Sequence, residues 1–396
     1  MDFSYSAEQE AMRGQLRVWL EEKKTAGAFG DSGPMDLDEV VAQGRRWQAD
    51  LHAGGWCGIH WPREYGGRSA GLLEQIVFQE ELARVGSPQL INLLALSMVG
   101  PVIIQYGTEA QKKRYLRPIL TAEEIWCQGY SEPGAGSDLA ALSTRAVLDG
   151  DAYVVNGQKV WTSYAQYAHF CILLARTNPD VPKHKGITMF ILDMHAPGVE
   201  VRPLRQMNGD SEFNEVYLED VRIPRENIVG EEGKGWDMAV ALLMHERATL
   251  TFQRQLQSRV ALMDLIRFSC EWVDAGQPPM RDPIHRQRIA QAYIDSEAMR
   301  LTALRHLTKQ LRGGHPGPEG SMEKLFWSEM YQRMLLSAVD MLGPYGNLAP
   351  GDGHAPLEGR WPHLMLYSRG RTIAAGTSEV QRGIIAQRVL GMPKDR

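Results

Sequence analysis

Val154-Val155-Asn156-Gly157-Gln158-Lys159-Val160-Trp161-Thr162-Ser163 is the stretch on which the fold turns. Apolar runs lie on both sides of Asn156-Gly157. Asn-Gly is the strongest short hairpin signal, because both turn residues take positive φ. A β-hairpin is therefore predicted here. Residues 170–174, 187–192, 199–201 and 216–221 read as further strands around it. Several short strands with polar turns predict a small barrel or sandwich.

Outward from this β zone the texture is helical in both directions. Before it, Ser6 and Gln9 resemble a capping box. Met12, Leu16, Trp19 and Leu20 then share one helical face. A loop rich in Gly and aromatics spans 54–67, and helices are predicted over 72–84 and after Pro88. Beyond the β zone, long periodic stretches cover 236–274, 284–312 and 321–342, separated by Gly/Pro-rich segments at 276–283 and 313–320. A Gly/Pro-rich loop at 343–362 precedes a last helix over 378–390. Long helices with short connections imply a bundle. The prediction is an α+β chain of three units: helical 1–121, β 122–230 and a helical bundle over 231–396.

The 396 residues are too many for one ordinary domain and suit two or three. Forty-three basic residues face 48 acidic ones, a net charge of −5 that disfavours a dominant nucleic-acid footprint. No segment nears the roughly 18 apolar residues of a membrane helix, so no span is expected. The polar start at 1–12 has no signal-peptide core, which predicts a cytoplasmic protein. Cys57, Cys127, Cys171 and Cys270 form no CxxC pair, so reduced thiols are expected and no zinc or other metal site.

Three motifs carry chemistry. In Ser131-Glu132-Pro133-Gly134-Ala135-Gly136-Ser137-Asp138, small residues allow a ligand to approach the backbone. Free amides and the Ser137 hydroxyl suit a phosphate or a polar cofactor edge; the plain alternative is a surface turn. In Trp161-Thr162-Ser163 an aromatic and two hydroxyls end a strand, suited to a flat ring with a hydrogen-bonding nitrogen, or else to a core Trp with satisfied hydroxyls. Gly376-Thr377-Ser378-Glu379 reads as a helix start, with Thr377 or Ser378 as N-cap and Glu379 in the first turn.

"SEPGAGSD" (131–138), "NGQKVWTS" (156–163), "GKGW" (233–236), "HERATL" (245–250) and "AAGTSEVQRGIIAQRVLG" (374–391) together resemble the acyl-CoA dehydrogenase family. "YGTEAQKKRYLRPI" (106–119) and "VRIPRENIVGEEGKGW" (221–236) extend the resemblance over essentially the whole chain. It implies a helical N-terminal domain, a middle β-barrel and a C-terminal four-helix bundle. FAD would lie between barrel and bundle, in a site that a partner subunit completes. By position, Gln128, Tyr130 and Ser131 would line the flavin edge. Gly136 and Ser137 would lie near the cofactor and the pantetheine arm of the substrate. Trp161 would flank the isoalloxazine, with Thr162 beside it and Ser163 facing flavin N5. Thr377 and Glu379 would contact FAD. The family often has Thr at the positions of Ser131 and Ser163, and Ser keeps the hydroxyl.

Many family members carry their catalytic Glu directly before the last Gly-Thr, where this chain has Ala375. Ala cannot take a proton. Glu246 stands in a helical stretch with Leu242, Leu243 and Leu250 at i−4, i−3 and i+4, at the margin of an apolar stripe. A salt-bridged structural Glu is the plain reading of such a residue. A subset of the family, however, carries its base at this position followed by Arg, as in Glu246-Arg247. The resemblance thus implies Glu246 as α-proton base and Arg247 as a substrate-binding residue near CoA. The Ala375 amide, with Gly376, would contact the substrate at the thioester oxygen. The implied reaction converts an acyl-CoA to a trans-2-enoyl-CoA, with the β-hydride going to flavin N5.

Two family features are absent. Residues 272–278 lack the Arg, and 340–346 the Gln, that reach FAD in many members. The 343–362 loop resembles subfamilies acting on bulky or steroid side-chain acyl-CoAs, some of which are mixed tetramers. The implied partners are an acyl-CoA, an electron-transfer flavoprotein as acceptor, and further subunits in a homo-oligomer (dimer or tetramer) or a heterotetramer. No nucleic acid and no membrane are implied. A flavin oxidase or monooxygenase of the same fold and a non-catalytic partner subunit are the alternatives.

Overall fold

The computed structural model describes residues 4–30, 35–273, 276–313 and 317–393, with 241–251 described as backbone only. Among the described residues, five α-helices form the N-terminal domain: α1 Ala7–Thr25, α2 Leu37–Ala53, α3 Leu72–Val85, α4 Gly100–Tyr106 and α5 Glu109–Thr121. The expected capping box is present. Gln9 N donates to Ser6 Oγ (3.2 Å) and Ser6 N to Gln9 Oε1 (2.9 Å). Asp36 with Glu39 and Thr108 with Gln111 repeat the device on α2 and α5. Leu16, Leu20, Trp47, Leu51, Trp61 and Ile119 make the core of this domain.

A π-helical turn, Ala95–Val99, leads into α4. In a π turn the Leu96 carbonyl would accept from residue 101, which is Pro and has no N–H. The Trp61 indole donates to that carbonyl instead, at 2.9 Å, and His60 Nε2 lies 3.1 Å from it. Gly100 is required beside them, because a Cβ there would overlap the Trp61 ring. The Gly- and Trp-rich 54–67 loop is thereby locked to the helix.

The middle domain is one seven-stranded sheet: β1 Trp126–Gly129, β2 Arg145–Asp149, β3 Ala152–Ser163, β4 Phe170–Arg176, β5 Ile187–Asp193, β6 Val199–Leu204 and β7 Phe213–Pro224. Its order is β1-β4-β2-β3-β7-β6, with β5 on β4. The sheet curls so that Cys127, Ala146, Val155, Leu173, Phe190 and Val221 share one interior. Alternate residues of β4 and β5 (Ile172, Leu174, Ile187, Met189, Ile191) join the N-terminal core. Burial on both faces explains why these two strands read as unbroken apolar runs.

The hairpin predicted at Asn156-Gly157 does not form. β3 runs straight through it, and the turn lies one strand earlier, at Gly150-Asp151, where Asp149 pairs with Ala152 and Gly150 has φ 64°. Asn156-Gly157 marks an irregularity in the β3–β7 register instead. A Cβ at Gly157 would sit 2.5 Å from Thr144 Oγ1, so the Gly serves close backbone approach. The Asn156 amide pairs with Asp220, donating to Oδ1 and accepting from its N–H, both at 2.9 Å.

The C-terminal domain contains α6 Gly235–Glu271, α7 Pro283–Leu311 and α8 Gly320–Leu342, which pack on one another. The shorter α9 Arg360–Ser368 and α10 Ser378–Ile384 pack on α8. α9 starts inside the predicted 343–362 loop, anchored by fully buried Trp361. At roughly 1.5 Å per residue, the 37 residues of α6 reach across two cores. Met238 and Ala239 belong to the N-terminal core, whereas Leu262, Leu265 and Phe268 belong to the bundle.

Candidate functional site

Tyr130 is buried after β1, next to partly buried Ser131 and Gln128. Burial pushes the Tyr130 phenol well above its ordinary pKa. Glu132 and Ala135 exchange backbone hydrogen bonds (3.1 and 3.0 Å), closing a tight turn over Pro133-Gly134. Gly136 and Ser137 stand exposed after it, and a Cβ at Gly134 or Gly136 would meet open space.

This loop is tied down by a residue that the sequence reading passed over. Lys159 on β3 is fully buried, and its Nζ donates to Glu132 Oε1 (2.8 Å) and to the Tyr130 carbonyl (3.2 Å). Glu132, 5% exposed, also accepts from Ser143 N (2.6 Å), Ser143 Oγ (2.7 Å) and Thr144 N (2.9 Å). Burial opposes its ionisation, but the Lys159 charge and these bonds outweigh burial and bring its pKa to about 2. Burial lowers the Lys159 pKa, against the pull of Glu132. A signal was available: Tyr153, Val155, Gly157 and Lys159 alternate onto the inward face of β3.

β3 ends in a distorted segment. Its pairing with β7 shifts register between Lys159 and Thr162. Trp161 takes φ 61°, and the residue is 60% exposed, its ring edge-on to Phe213 at 6.1 Å. Left-handed backbone at a bulky residue costs of order 1–2 kcal/mol, and such strain gathers at ligand sites. Thr162 is fully buried, and its Oγ1 has no hydrogen-bond partner among the described residues. Its carbonyl accepts from Asn214 Nδ2 at 2.9 Å. Ser163 is partly buried and pairs with Phe213.

The bundle approaches this strand end through the 205–212 loop. Tyr164 N donates to the Glu212 carbonyl (2.7 Å), and Asp210 Oδ1 lies 3.0 Å from His363 Nε2 on α9. The bond to Asp210 raises the His363 pKa. Past α9 the chain turns through Ala375 (φ 55°) and Gly376 (φ 93°). Thr377 caps α10, its Oγ1 accepting from Val380 N at 3.2 Å. Glu379 is exposed in the first turn, and hydrogen bonds from its own amide and from Thr377 lower its pKa. Two buried side chains hold the turn from inside. Gln381 Nε2 donates to the Ala375 carbonyl (2.8 Å) and lies 3.3 Å from the Gly376 carbonyl. Lys324 Nζ on α8 donates to the Gly376 carbonyl at 2.6 Å, and burial brings its pKa to about 8. Neither was singled out from sequence.

Glu246 and Arg247 lie on α6, between its two cores; their side chains fall outside the described residues. No hydrogen bond among the described residues joins Gly136 or Ser137 to the Ala375–Glu379 turn. The groups at the β3 end suit a flat polar ring such as a flavin: an outward aromatic on strained backbone and a buried hydroxyl still seeking a partner. No helix among the described residues is long and apolar enough to cross a membrane.

Comparison with known proteins extends this picture. The acyl-CoA dehydrogenase N-terminal, middle and C-terminal domain models match residues 6–123, 127–221 and 233–390. The chain is 38% identical to acyl-CoA dehydrogenase IpdE1 of Mycobacterium tuberculosis, with 98% of each chain covered. It is 28% identical to the short-chain-specific acyl-CoA dehydrogenase of Clostridium acetobutylicum, covering 98% of this chain and 100% of that one. Among solved structures, the Tcur3481-Tcur3483 steroid ACAD superposes with a TM-score of 0.85 at 32% identity, covering 100% of both chains. The ChsE4-ChsE5 complex from M. tuberculosis gives 0.84 at 33%, again with 100% of both chains covered. With all three domains matched in order and its relatives aligned end to end, the chain belongs to the acyl-CoA dehydrogenase family of flavoprotein oxidoreductases.

Proposed function

We propose that this chain binds FAD and an acyl-CoA, and dehydrogenates the thioester between Cα and Cβ to give the trans-2-enoyl-CoA. The observation that carries the reading is the end of β3: an exposed Trp161 at φ 61° beside the unpartnered, buried Thr162 hydroxyl. Gln128, Tyr130, Ser131, Gly136, Ser137, Thr162 and Ser163 would hold the cofactor from the barrel, with Trp161 against its ring system and Thr377 and Glu379 at the bundle. FAD, when bound, supplies the acceptor for the β-hydride at flavin N5.

The chain's own residues do the rest. Glu246 removes the α-proton; an apolar surrounding raises a carboxylate's pKa and makes it a better base near neutrality. The Ala375 amide, beside Gly376, donates to the thioester oxygen as negative charge develops there. Ser137 holds the pantetheine arm and Arg247 the CoA portion. The bulky-substrate class is supported by Ala375, which leaves space where a Glu would stand, and by the likeness to a steroid ACAD. Complexes among the structural neighbours support assembly with further subunits, as homo-oligomer or heterotetramer. An electron-transfer flavoprotein is the proposed acceptor and the cytoplasm the proposed location. The test is purification followed by anaerobic mixing with a panel of acyl-CoAs. Yellow protein that acyl-CoA bleaches is expected; protein that stays colourless after incubation with FAD overturns the reading.

A further inference from the structure

The turn at 375–377 is shaped by groups that do not belong to it. Ala375 and Gly376 are consecutive residues with positive φ, 55° and 93°. For Ala375, an L-residue, this backbone is unfavourable, so something must hold it. Both carbonyls of the pair are drawn inward. The Ala375 carbonyl accepts from Gln381 Nε2 at 2.8 Å, and the Gly376 carbonyl from Lys324 Nζ at 2.6 Å. Gln381 is 1% and Lys324 7% exposed, so neither bond is traded freely with water. The packing allows little slack: a Cβ on Gly376 would lie 2.5 Å from Gln381 Nε2. The C-terminal side is pinned by the Thr377 cap.

In a trans peptide the C=O and N–H point in opposite directions. Holding the Ala375 and Gly376 carbonyls toward Gln381 and Lys324 therefore turns the Gly376 and Thr377 amides away from the interior. The Ala375 N–H belongs to the preceding peptide plane, which the clamp reaches only through φ and ψ of Ala375; for an L-residue at φ 55° that left-handed well is narrow, so fixing the next plane restricts where this amide points. Lys324 reaches this turn from α8, 52 residues away in sequence. It is not among the residues proposed to hold substrate or cofactor.

We propose that Lys324, together with Gln381, is a positioning residue for the dehydrogenation: it clamps the carbonyl side of the 375–377 turn so that the Ala375 amide stays aimed at the thioester oxygen. This rests on the reading of Ala375 and Gly376 as the thioester site. The role differs from general stability in what it predicts. Loosening an oxyanion donor lowers the rate of the chemical step more than it weakens binding, and a misplacement of about 1 Å can cost 10²-fold.

The test compares wild type with Lys324→Met, which keeps length without a donor, and Lys324→Arg, which keeps donors. FAD content and thermal midpoint are measured first. Three readouts follow in the holoenzyme: kcat and KM with a good acyl-CoA, and the carbonyl stretch of bound, carbonyl-labelled 2-enoyl-CoA by difference infrared. Lys324→Met is expected to lose about 10- to 100-fold in kcat, with KM changed by about threefold or less, and to shrink the red shift of the carbonyl band. Lys324→Arg is expected to restore part of both. Full FAD content with unchanged kcat and an unchanged carbonyl band in Lys324→Met overturns the proposal while leaving the thioester site intact. A wild type that neither bleaches nor shifts the carbonyl band overturns the thioester site and this proposal together. If Lys324→Met does not fold, Gln381→Leu removes the other donor; the same kcat and carbonyl losses support the clamp, and their absence overturns it.

Discussion

The Lys159 ammonium lies 2.8 Å from the Glu132 carboxylate, 27 residues earlier in the chain, and both side chains are out of water. The pair fastens the 131–138 loop to the strand that ends in Trp161. Removing one partner of such a pair strands a buried charge, typically at about 3–5 kcal/mol. Lys159→Met should therefore lower the thermal midpoint of the FAD-free protein by roughly 10 °C. The double variant Glu132→Gln/Lys159→Met should recover much of that loss, because no lone charge is left buried. Differential scanning fluorimetry of the three proteins checks this, and a double variant no more stable than the single one contradicts it.

The same pair predicts acid sensitivity. The Glu132 pKa is depressed from 4.5 to about 2 in the folded protein. A depressed carboxylate contributes its full stability above its unfolded pKa and loses it as pH falls through the folded one. Its contribution should thus be intact at pH 5 and above, and fade as pH drops from about 4.5 toward 2. Wild type should lose stability more steeply there than Glu132→Gln/Lys159→Met in midpoint-against-pH curves. Parallel curves would show that Glu132 is not depressed.

Trp161 separates fold from ligand. At φ 61° any L-residue is strained, and Gly is not. Trp161→Gly should be more stable than Trp161→Ala by about 1 kcal/mol in the FAD-free state. Both variants lose the ring proposed to lie against the flavin, so both should bind FAD more weakly, while Trp161→Phe keeps most of the affinity. Thermal midpoints and FAD titration measure the two quantities independently. Unaltered FAD affinity in Trp161→Ala would remove Trp161 from the site.

What could be read from sequence was local or periodic. The Ser6–Gln9 capping box involves residues three apart, and the apolar periods of α6, α7 and α8 repeat over many turns. Both signals sit within one element, so they survive folding unchanged. Asn156-Gly157 shows the opposite case. Its turn propensity is real, but β3 continues through it, paired with β7 on both sides, and the Gly serves the close approach of Thr144 instead. Gly150-Asp151, also a hairpin turn signal, takes the hairpin. The site divides the same way. Trp161, Ser163 and Thr377 could be named as candidates because their motifs are contiguous. Lys159 on Glu132 and Lys324 on Gly376 were not, because 27 and 52 residues separate the partners and only the tertiary fold brings them together.

The proposed preference for bulky substrates rests on Ala375. The side chain is a single methyl, exposed on the turn, at the position where the family resemblance implies a carboxylate in many members. A smaller, apolar wall favours a wider acyl group. Branched, long or ring-bearing acyl-CoAs should therefore be better substrates than butyryl-CoA. Discrimination per added methylene is modest, about 1–3 kcal/mol in a fitting pocket, so the trend should be read over a panel by kcat/KM. Butyryl-CoA as the best substrate would refute this assignment.

Glu246 as base makes the sharpest prediction. α6 carries it between the N-terminal core at Met238 and the bundle core at Leu262, so its helix is held at both ends. Glu246→Gln keeps shape and hydrogen bonding but removes the basic oxygen. Proton transfer should then stall while binding survives, with a loss of about 10²–10⁴-fold or more where no other group can act. FAD should remain bound, and a substrate analogue should still perturb its spectrum. Glu246→Asp withdraws the carboxylate by about one methylene, roughly 1 Å, and should retain a small residual rate. Ala375→Ser should change kcat little, because no proton moves through that side chain. The measurement is anaerobic flavin bleaching by a good acyl-CoA in each variant. Near-wild-type bleaching by Glu246→Gln, with FAD content verified, would move the base elsewhere and reopen the oxidase and partner-subunit readings.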